Sequence, residues 1–172
     1  ADEENGEPAV NVARIASDGG TVSEYKTLDE AVEAAEDGAT IELLADCTTE
    51  GLNLSKSIMI HRAAELDENP TVTFEKHGIA LWGKDLTFKD CNVIMNGIGS
   101  TPYTAEWNWM SVCANPGASL SLENVSLTMD GTDAGNAHAI YFCSDNKLNV
   151  RNSTLVIRNY EQDALEWDGG DG

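Results

Sequence analysis

A pattern of alternating apolar and polar residues occurs three times in this chain. The copies read LTFKDCNVIM at Leu86–Met95, LSLENVSLTM at Leu120–Met129 and LNVRNSTLVI at Leu148–Ile157. Alternation at a period of two buries one face of a strand and leaves the other face in water. Repetition indicates that one supersecondary unit is stacked on itself. The chain is therefore constrained to a fold in which equivalent strands lie beside one another.

Each copy skips one step of the alternation at a small polar residue. These residues are Asp90, Asn124 and Asn152. Asp and Asn tolerate the left-handed backbone region, so they can bend a strand. We predict that the three side chains form a polar ladder along one corner of the fold.

A third apolar stretch accompanies each copy. Such stretches occur at Gly78–Leu81, Met110–Val112, Ile140–Phe142 and Ala164–Trp167. One repeat is therefore predicted to contain three short strands and three corners. Stacked repeats of this kind form a parallel β-helix, in which each rung pairs only with its neighbours.

The spacing between copies extends the repeat towards the N-terminus. Leu86 and Leu120 are 34 residues apart, and the same step back from Leu86 reaches Leu52. We therefore interpret Leu52–Ile60 as a degenerate copy and Ile41–Leu44 as the third strand of an earlier turn. This gives about three and a half rungs. The predicted inward stacks are Leu52–Leu86–Leu120–Leu148 and Phe88–Leu122–Val150.

Two segments resemble a known family. They are YKTLDEAVEAAEDGATIELLADCT at Tyr25–Thr48 and GLNLSKSIMI at Gly51–Ile60. They resemble right-handed parallel β-helices of the pectate-lyase type, and more closely the β-helical modules of large surface proteins of Gram-positive bacteria. The resemblance covers about Val10 to Trp167. It implies an all-β, right-handed parallel β-helix, and it says little about activity because this fold hosts lyases, hydrolases and adhesive stalks.

The N-terminal part is predicted to cap the first rung. Val10–Ala16 and Thr21–Tyr25 are typical of a hairpin. Thr27–Asp37 is predicted to be a helix, with Thr27 and Glu30 forming a capping box and Gly38 terminating it. The predicted organisation is a flexible lead over 1–9, a hairpin and capping helix over 10–38, and rungs over 39–172, truncated at the C-terminal end. We expect further repeats in the full-length protein.

The charge balance limits the partners. The chain has 10 Lys and Arg against 30 Asp and Glu, a net charge of −20. Such a surface repels phosphate backbones, so nucleic-acid binding is excluded. No apolar run is long enough to span a membrane. The segment ADEENGEP is typical of a mature N-terminus, and with the family resemblance it predicts a secreted or cell-surface protein. No cofactor motif is present, with calcium left open.

The four cysteines are not spaced like metal ligands. Cys47 and Cys91 fall on inward positions and are interpreted as buried apolar residues. Cys113 and Cys143 are predicted to point outward on neighbouring rungs, one directly below the other. Rungs lie about 4.8 Å apart, within the Cα separation that a disulfide spans. A Cys113–Cys143 disulfide is one interpretation and two reduced thiols are the other.

An insertion between Met95 and Met110 concentrates aromatic residues. It reads NGIGSTPYTAEWNW, and its predicted ligand-binding residues are Tyr103, Glu106, Trp107, Asn108 and Trp109. Aromatic rings that stack on sugar faces beside carboxylates and amides are typical of glycan-binding surfaces, so the partner would be a glycan or a host surface protein. Alternatively, the insertion folds back and its aromatics pack against the outside of the fold.

One loop has oxygen ligands at intervals that suit calcium. Its residues are Asp130, Asp133 and Asn136, although the terminal bidentate Glu of an EF-hand is missing. A chain with 30 acidic residues also produces such loops by chance. Asp130, Asp133 and Asn136 are therefore the calcium candidate of this sequence, and we predict no other metal site.

Three classes of function remain open. The leading hypothesis is a non-enzymatic module of a secreted or wall-anchored bacterial surface protein, serving adhesion or presentation. A carbohydrate-active enzyme, either a polysaccharide lyase or a glycoside hydrolase, is the alternative, and a purely structural stalk is the third. No catalytic residues are assigned, because no convergent acid pair with a basic or metal partner is evident in the sequence.

Overall fold

The computed structural model describes residues 10–17, 19–98, 110–135 and 137–169. Over these residues the protein is predominantly β, with one short helix and two largely parallel sheets. In chain order the elements are β1 Ala13–Ala16, β2 Val22–Tyr25, α1 Leu28–Ala34, β3 Ala39–Leu43, β4 Cys47–Thr49, β5 Leu52–Leu54, β6 Ile58–Arg62, β7 Thr71–Phe74, β8 Ile79–Leu81, β9 Asp85–Asn96, β10 Met110–Ala114, β11 Ser119–Asp130, β12 His138–Phe142, β13 Lys147–Arg151, β14 Thr154–Arg158 and β15 Leu165–Trp167.

The first sheet contains ten strands. Its main path runs β13-β11-β9-β6-β3-β1-β2, with β14 paired to β11 and β7 paired to both β4 and β9. The three repeated segments are neighbours in this sheet, in parallel register. Leu120 lies opposite Leu86 on one side and Leu148 on the other. Leu122 lies between Phe88 and Val150. Both alignments confirm that the repeated pattern produces stacked strands.

The second sheet contains the third apolar stretches, in the order β15-β12-β10-β8-β5. From β3 onward the chain passes repeatedly from the first sheet to the second and back, and each stretch in the second sheet is preceded by one long strand or two short strands in the first. The apolar side chains of both sheets form one buried cluster, which includes Leu86, Phe88, Val112, Leu122 and Phe142. Its burial is the main source of stability for the fold.

The polar corner, defined as Asp90, Asn124 and Asn152, has the predicted backbone. The φ angles are 50°, 53° and 47°, all in the left-handed region. The amide of Asn124 donates a hydrogen bond of 2.7 Å to Asp90. This bond is the chief reason why the pKa of Asp90 lies below its usual value. Small polar residues therefore suit the backbone geometry at all three positions, and the predicted ladder is seen as a side-chain contact between Asp90 and Asn124.

Two predicted alignments in the N-terminal half are wrong. Leu52 does not stack on Leu86. It lies in the second sheet opposite Ile79, and Ile58 takes the place beside Leu86. The segment 41–44 is likewise no third strand, because β3 pairs with β6 in the first sheet. Ile58 precedes Leu86 by 28 residues, the spacing that also separates Leu120 from Leu148. The 34-residue step therefore relates Leu86 to Leu120 and does not extend back to Leu52.

The N-terminal segment forms the predicted hairpin and helix. β1 and β2 pair antiparallel, and β1 also pairs antiparallel with β3, at the edge of the first sheet. The hydroxyl of Thr27 accepts from the backbone of Glu30 in a capping box. Leu28 and Ala31 are fully buried. The helix ends at Ala34, earlier than predicted, and Gly38 lies beyond it with φ of 86°. No helix among the described residues is long and apolar enough to cross a membrane.

Candidate functional site

The first candidate from the sequence is the aromatic insertion between Met95 and Met110. Tyr103, Glu106, Trp107, Asn108 and Trp109 all lie outside the described residues, so the glycan-binding hypothesis for this segment stays a prediction. The strand that follows, β10, is buried at all five positions. Within it the Ser111 hydroxyl contacts the Ile98 carbonyl and lies 2.9 Å from the Tyr160 hydroxyl. Cys113 was predicted to point outward, and its burial shows that this side of β10 is not in contact with water.

The carboxylate of Asp130, in the calcium candidate, is already engaged within the protein. It accepts from the backbone and hydroxyl of Thr132, from Arg158 at 2.7 Å and from Asn159 at 3.1 Å. These contacts hold the pKa of Asp130 well below its usual range. Asp133 is exposed with φ of 65°, and Asn136 lies outside the described residues. The calcium site stays a prediction, although Arg158 already supplies a cation to Asp130.

The predicted alignment of Cys113 with Cys143 is wrong. The parallel register places Cys113 opposite Tyr141, and Cys143 follows two residues later. All four cysteines are free thiols. A register shift by two residues leaves the same side chains inward, so the apolar pattern could not distinguish the two alignments. Burial raises the pKa of Cys113 to about 12, which keeps this thiol protonated and unreactive at neutral pH.

An imidazole and two carboxylates lie close together at the start of β12 and on the neighbouring parallel strand β15 with the residues just before it. This imidazole–carboxylate cluster consists of His138, Asp163 and Glu166. His138 is the first residue of β12, and the Ala139 amide donates to the Asp163 carbonyl at 3.0 Å. Glu166 is the central residue of β15. The parallel pairing of two neighbouring strands therefore brings together residues that are 25 and 28 positions apart.

The geometry of the cluster is tight. Nδ1 of His138 lies 2.9 Å from Oε2 of Glu166 and 3.6 Å from Oδ2 of Asp163. One ligand atom from each of the three residues lies within 4.8 Å of the others. The His138 side chain is 12% exposed and its Nδ1 is shielded from solvent, whereas Asp163 is 65% exposed. The imidazole therefore approaches the carboxylates from a fixed position, and Asp163 has freedom to adjust.

A neighbouring aromatic residue orders the cluster. The ring of Tyr141 meets the ring of His138 edge to face, with centroids 6.0 Å apart. Its hydroxyl donates to Asp168 at 2.9 Å. Burial is the largest cause that raises the pKa of Tyr141 to about 12, so the hydroxyl remains a donor at neutral pH. Asp168 is thus held by Tyr141, and the carboxylates that face His138 are those of Asp163 and Glu166.

The sequence analysis did not find this cluster. A His, an Asp and a Glu separated by 25 and 3 residues match no local metal-binding motif. The available signal was the alignment of Ile140–Phe142 with Ala164–Trp167 as stacked third strands. Extending that alignment two residues backward places His138 beside Asp163.

A shallow depression of about 570 Å³ lies between the N-terminal hairpin and the end of α1. Ile15, Ser17, Tyr25, Glu36 and Asp37 are among its lining residues. Asp37 accepts a hydrogen bond from the Ser57 amide at 2.7 Å and pairs with Lys84. Its carboxylate is therefore occupied, and the depression offers less convergent chemistry than the imidazole–carboxylate cluster.

A comparison with known protein families, curated proteins and solved structures finds no match for this chain.

Proposed function

We propose that the chain is a right-handed parallel β-helix module of an exported bacterial surface protein, with a non-enzymatic role in adhesion or presentation. In this proposal the module is a rigid stacked unit that continues into further repeats and displays its acidic sides. Its support comes from the strand order, the edge that the structure leaves uncovered and the surface charge.

The strand order supports a solenoid. The chain visits the first sheet, then the second sheet, and returns to the first beside the strand it left one repeat earlier. Among the described residues, every pairing between two strands of the set β3 to β15 is parallel. Parallel strands linked in this way stack their inward residues in columns, as Leu86, Leu120 and Leu148 do.

The uncovered edge is the observation on which the proposal chiefly rests. We define the open edge as β13, β14 and β15, each of which pairs on one side only among the described strands. Val150, Leu165 and Trp167 are 47%, 46% and 47% exposed. Their partners one strand inward, listed in the same order, are fully buried: Leu122, Ile140 and Phe142.

The open edge therefore presents core residues without a cover. Uncovered apolar strands with free backbone groups favour pairing with another strand. A further repeat of the same kind would continue all three columns in register, which is why we place the next unit there. The net charge of −20 keeps such a stack soluble and disfavours anionic partners.

Insertion of one extra repeat tests the proposed architecture. A second copy of residues 119–146 is placed between Asn146 and Lys147, since Ser119 and Lys147 occupy equivalent register positions. A solenoid accepts a whole repeat because each unit contacts only its neighbours. We expect a cooperatively folded protein with an unchanged or higher midpoint of thermal unfolding, measured by circular dichroism.

The matched control inserts only a second copy of residues 119–130 at the same point. It supplies the strand of the first sheet without the strand of the second sheet, so the inward residues of successive repeats no longer align. We expect this variant to lose cooperative unfolding. If the whole-repeat insertion also unfolds, or if both insertions fold equally well, the β-helix proposal fails.

The proposed adhesive role is tested on glycans and host surfaces. Wild-type protein and Trp107→Ala are compared on a glycan array, at matched concentration. A signal that falls in the variant supports glycan recognition through the aromatic insertion. Equal signals from the two proteins remove that site. Absence of any bound glycan or host protein favours the purely structural stalk.

A second candidate function, a carbohydrate-active enzyme, is favoured by the imidazole–carboxylate cluster. Two carboxylates beside an imidazole are groups that acid–base chemistry uses. Incubation with pectins, mucin glycans and plant polysaccharides distinguishes the two functions. Turnover that is lost in Asp163→Ala or Glu166→Ala would establish the enzyme, and turnover that persists in both variants would point to a contaminant.

A further inference from the structure

We propose that His138, Asp163 and Glu166 form a binding site for a divalent transition-metal ion, and zinc is the ion that we expect. The proposal rests on the geometry of the imidazole–carboxylate cluster and is independent of the proposed surface function. It adds a site of defined chemistry to the side of the second sheet that carries Tyr141.

The donor set selects the class of ion. An imidazole nitrogen with two carboxylate oxygens suits zinc and its first-row neighbours, whereas magnesium and calcium prefer oxygen ligands alone. Three protein ligands leave at least one coordination position for water. The cluster lacks a thiolate, because none of the cysteines is among its members. This disfavours copper(I) and iron–sulfur groups at this position.

The distances from the imidazole lie just either side of those that one bound ion requires. Zinc binds nitrogen and carboxylate oxygen at about 2.1 Å, which places neighbouring ligand atoms about 3.0 to 3.4 Å apart. The observed separations from Nδ1 of His138 are 2.9 Å to Glu166 and 3.6 Å to Asp163. The three ligand atoms lie within 4.8 Å of one another, and Asp163 is exposed enough to move its carboxylate towards a bound ion.

The protein holds the nitrogen ligand in place before an ion binds. His138 is mostly buried at the start of β12 and packs against the ring of Tyr141. Its Nδ1 is directed at both carboxylates and is shielded from water. Preorganisation lowers the entropy that binding must overcome. Two carboxylates in contact with one imidazole also carry excess negative charge, which a divalent cation neutralises.

An ion bound at this position would also connect two neighbouring strands of the second sheet. Glu166 lies in β15, a three-residue strand at the open edge, Asp163 lies two residues before that strand, and His138 lies in β12. An ion held by all three residues links the edge strand to the strand beneath it. Because binding to the folded state alone stabilises that state, zinc is expected to raise the midpoint of unfolding.

The test is a titration of metal-free protein with Zn²⁺ in excess Mg²⁺, in which binding is measured by isothermal titration calorimetry. The excess Mg²⁺ occupies weak sites formed by the many surface acids. We expect one zinc ion per chain and a zinc-dependent rise in the thermal midpoint. Glu166→Gln and His138→Gln should each weaken zinc binding by at least about tenfold. The matched control is His61→Gln, because His61 contacts a single carboxylate, that of Asp90, at 3.0 Å. It should bind zinc like the wild type.

A second measurement on the wild type avoids dependence on the stability of the variants. Mn²⁺ at substoichiometric concentration broadens nuclear magnetic resonance signals near its site. Broadening centred on Ala139, Ile140 and Leu165 supports the proposal. The proposal is overturned if the wild type binds no zinc in excess Mg²⁺, if both cluster variants bind like the wild type, or if broadening is spread evenly over the acidic surface.

Discussion

At the scale of single residues, short polar side chains join neighbouring strands of this fold. Asp90 accepts from Asn124, and Asp130 accepts from Arg158 and Asn159. Each bond connects positions that are far apart in the chain. Polar residues at the ends and corners of strands therefore do more than face water, since they hold one repeat against the next.

The hydrogen bonds of Asp130 should make the stability of the protein depend on pH. Its four donors lower its pKa, so the folded state favours the charged form more than the unfolded state does. Its stabilising contribution is therefore complete above the unfolded pKa of about 3.9 and is lost as pH falls through the lower folded pKa. Asp130→Asn should lower the urea midpoint at pH 7, and this difference from the wild type should shrink below about pH 4.

The exposed neighbour Asp133 supplies the control for that series. Asp133→Asn removes a charge from the same loop without removing the contacts of Asp130, so it should leave the urea midpoint unchanged at every pH. A difference between Asp130→Asn and the wild type that stays constant down to pH 2 would contradict the assignment.

A side chain added at Gly78 is expected to create a packing defect. A Cβ at this residue would collide with the backbone carbonyl of Ser111, on the neighbouring strand β10. Backbone atoms cannot move aside as the end of a flexible side chain can. Gly78→Ala should therefore lower the free energy of unfolding by about 1 to 3 kcal/mol. Gly19→Ala is the control, because the nearest atom to its added Cβ is 4.0 Å away. Equal urea midpoints for the two variants would show that the close approach is absent.

At the scale of elements, the repeated strands act as columns rather than as separate pairs. β11 lies between β9 and the pair β13 and β14, and its inward residues are buried by both neighbours. Among the described strands, those of the open edge have one neighbour each, and their equivalent residues Val150, Leu165 and Trp167 are about half exposed. Burial in this fold is therefore set by position in the stack as well as by residue type.

The centre of a column should tolerate no charge. Leu122 is buried between Phe88 and Val150, and water cannot reach a carboxylate at that position. Leu122→Asp should cost more than about 4 kcal/mol and abolish cooperative unfolding. Ser126→Asp, on the exposed face of the same strand, should remain folded. Circular dichroism and urea titration distinguish the outcomes, and a cooperative transition in Leu122→Asp would show that β11 is not a core strand.

At the scale of the whole molecule, the core holds thiols that titrate differently in the folded and unfolded states. Burial raises the pKa of Cys91 and of Cys113 to about 12. In an unfolded chain a thiol titrates near pH 8.5. Between these values the unfolded state loses protons that the folded state keeps, so the free energy of unfolding falls as pH rises.

Stability should therefore decline as pH rises from about 8.5 towards 12. A fully buried thiol contributes a slope of at most about 1.4 kcal/mol per pH unit. Cys91→Val removes one such thiol while keeping an apolar side chain of similar size. Urea titrations at several pH values should give this variant a shallower decline than the wild type. Identical slopes would indicate that Cys91 does not remain protonated in the folded state.

Much of the architecture follows from short-range properties of the sequence. Alternation at a period of two identified the repeated strands, and the polar step within them identified the corner at Asp90, Asn124 and Asn152. The Thr27 capping box and the N-terminal hairpin were also predictable, because caps and turns depend on a few adjacent residues. These features require only local backbone preferences and the separation of apolar from polar side chains.

The tertiary structure decided which strands lie opposite one another. A shift of two residues preserves the inward face, so the sequence could not distinguish Cys143 from Tyr141 as the partner of Cys113. Because the repeats differ in length, the sequence spacing also assigned Leu52 to the first sheet, whereas it lies in the second. The imidazole–carboxylate cluster depends on the same register, because His138 meets Asp163 and Glu166 only when β12 and β15 pair as they do. Periodicity specifies the face of a strand, whereas long-range packing specifies its neighbour.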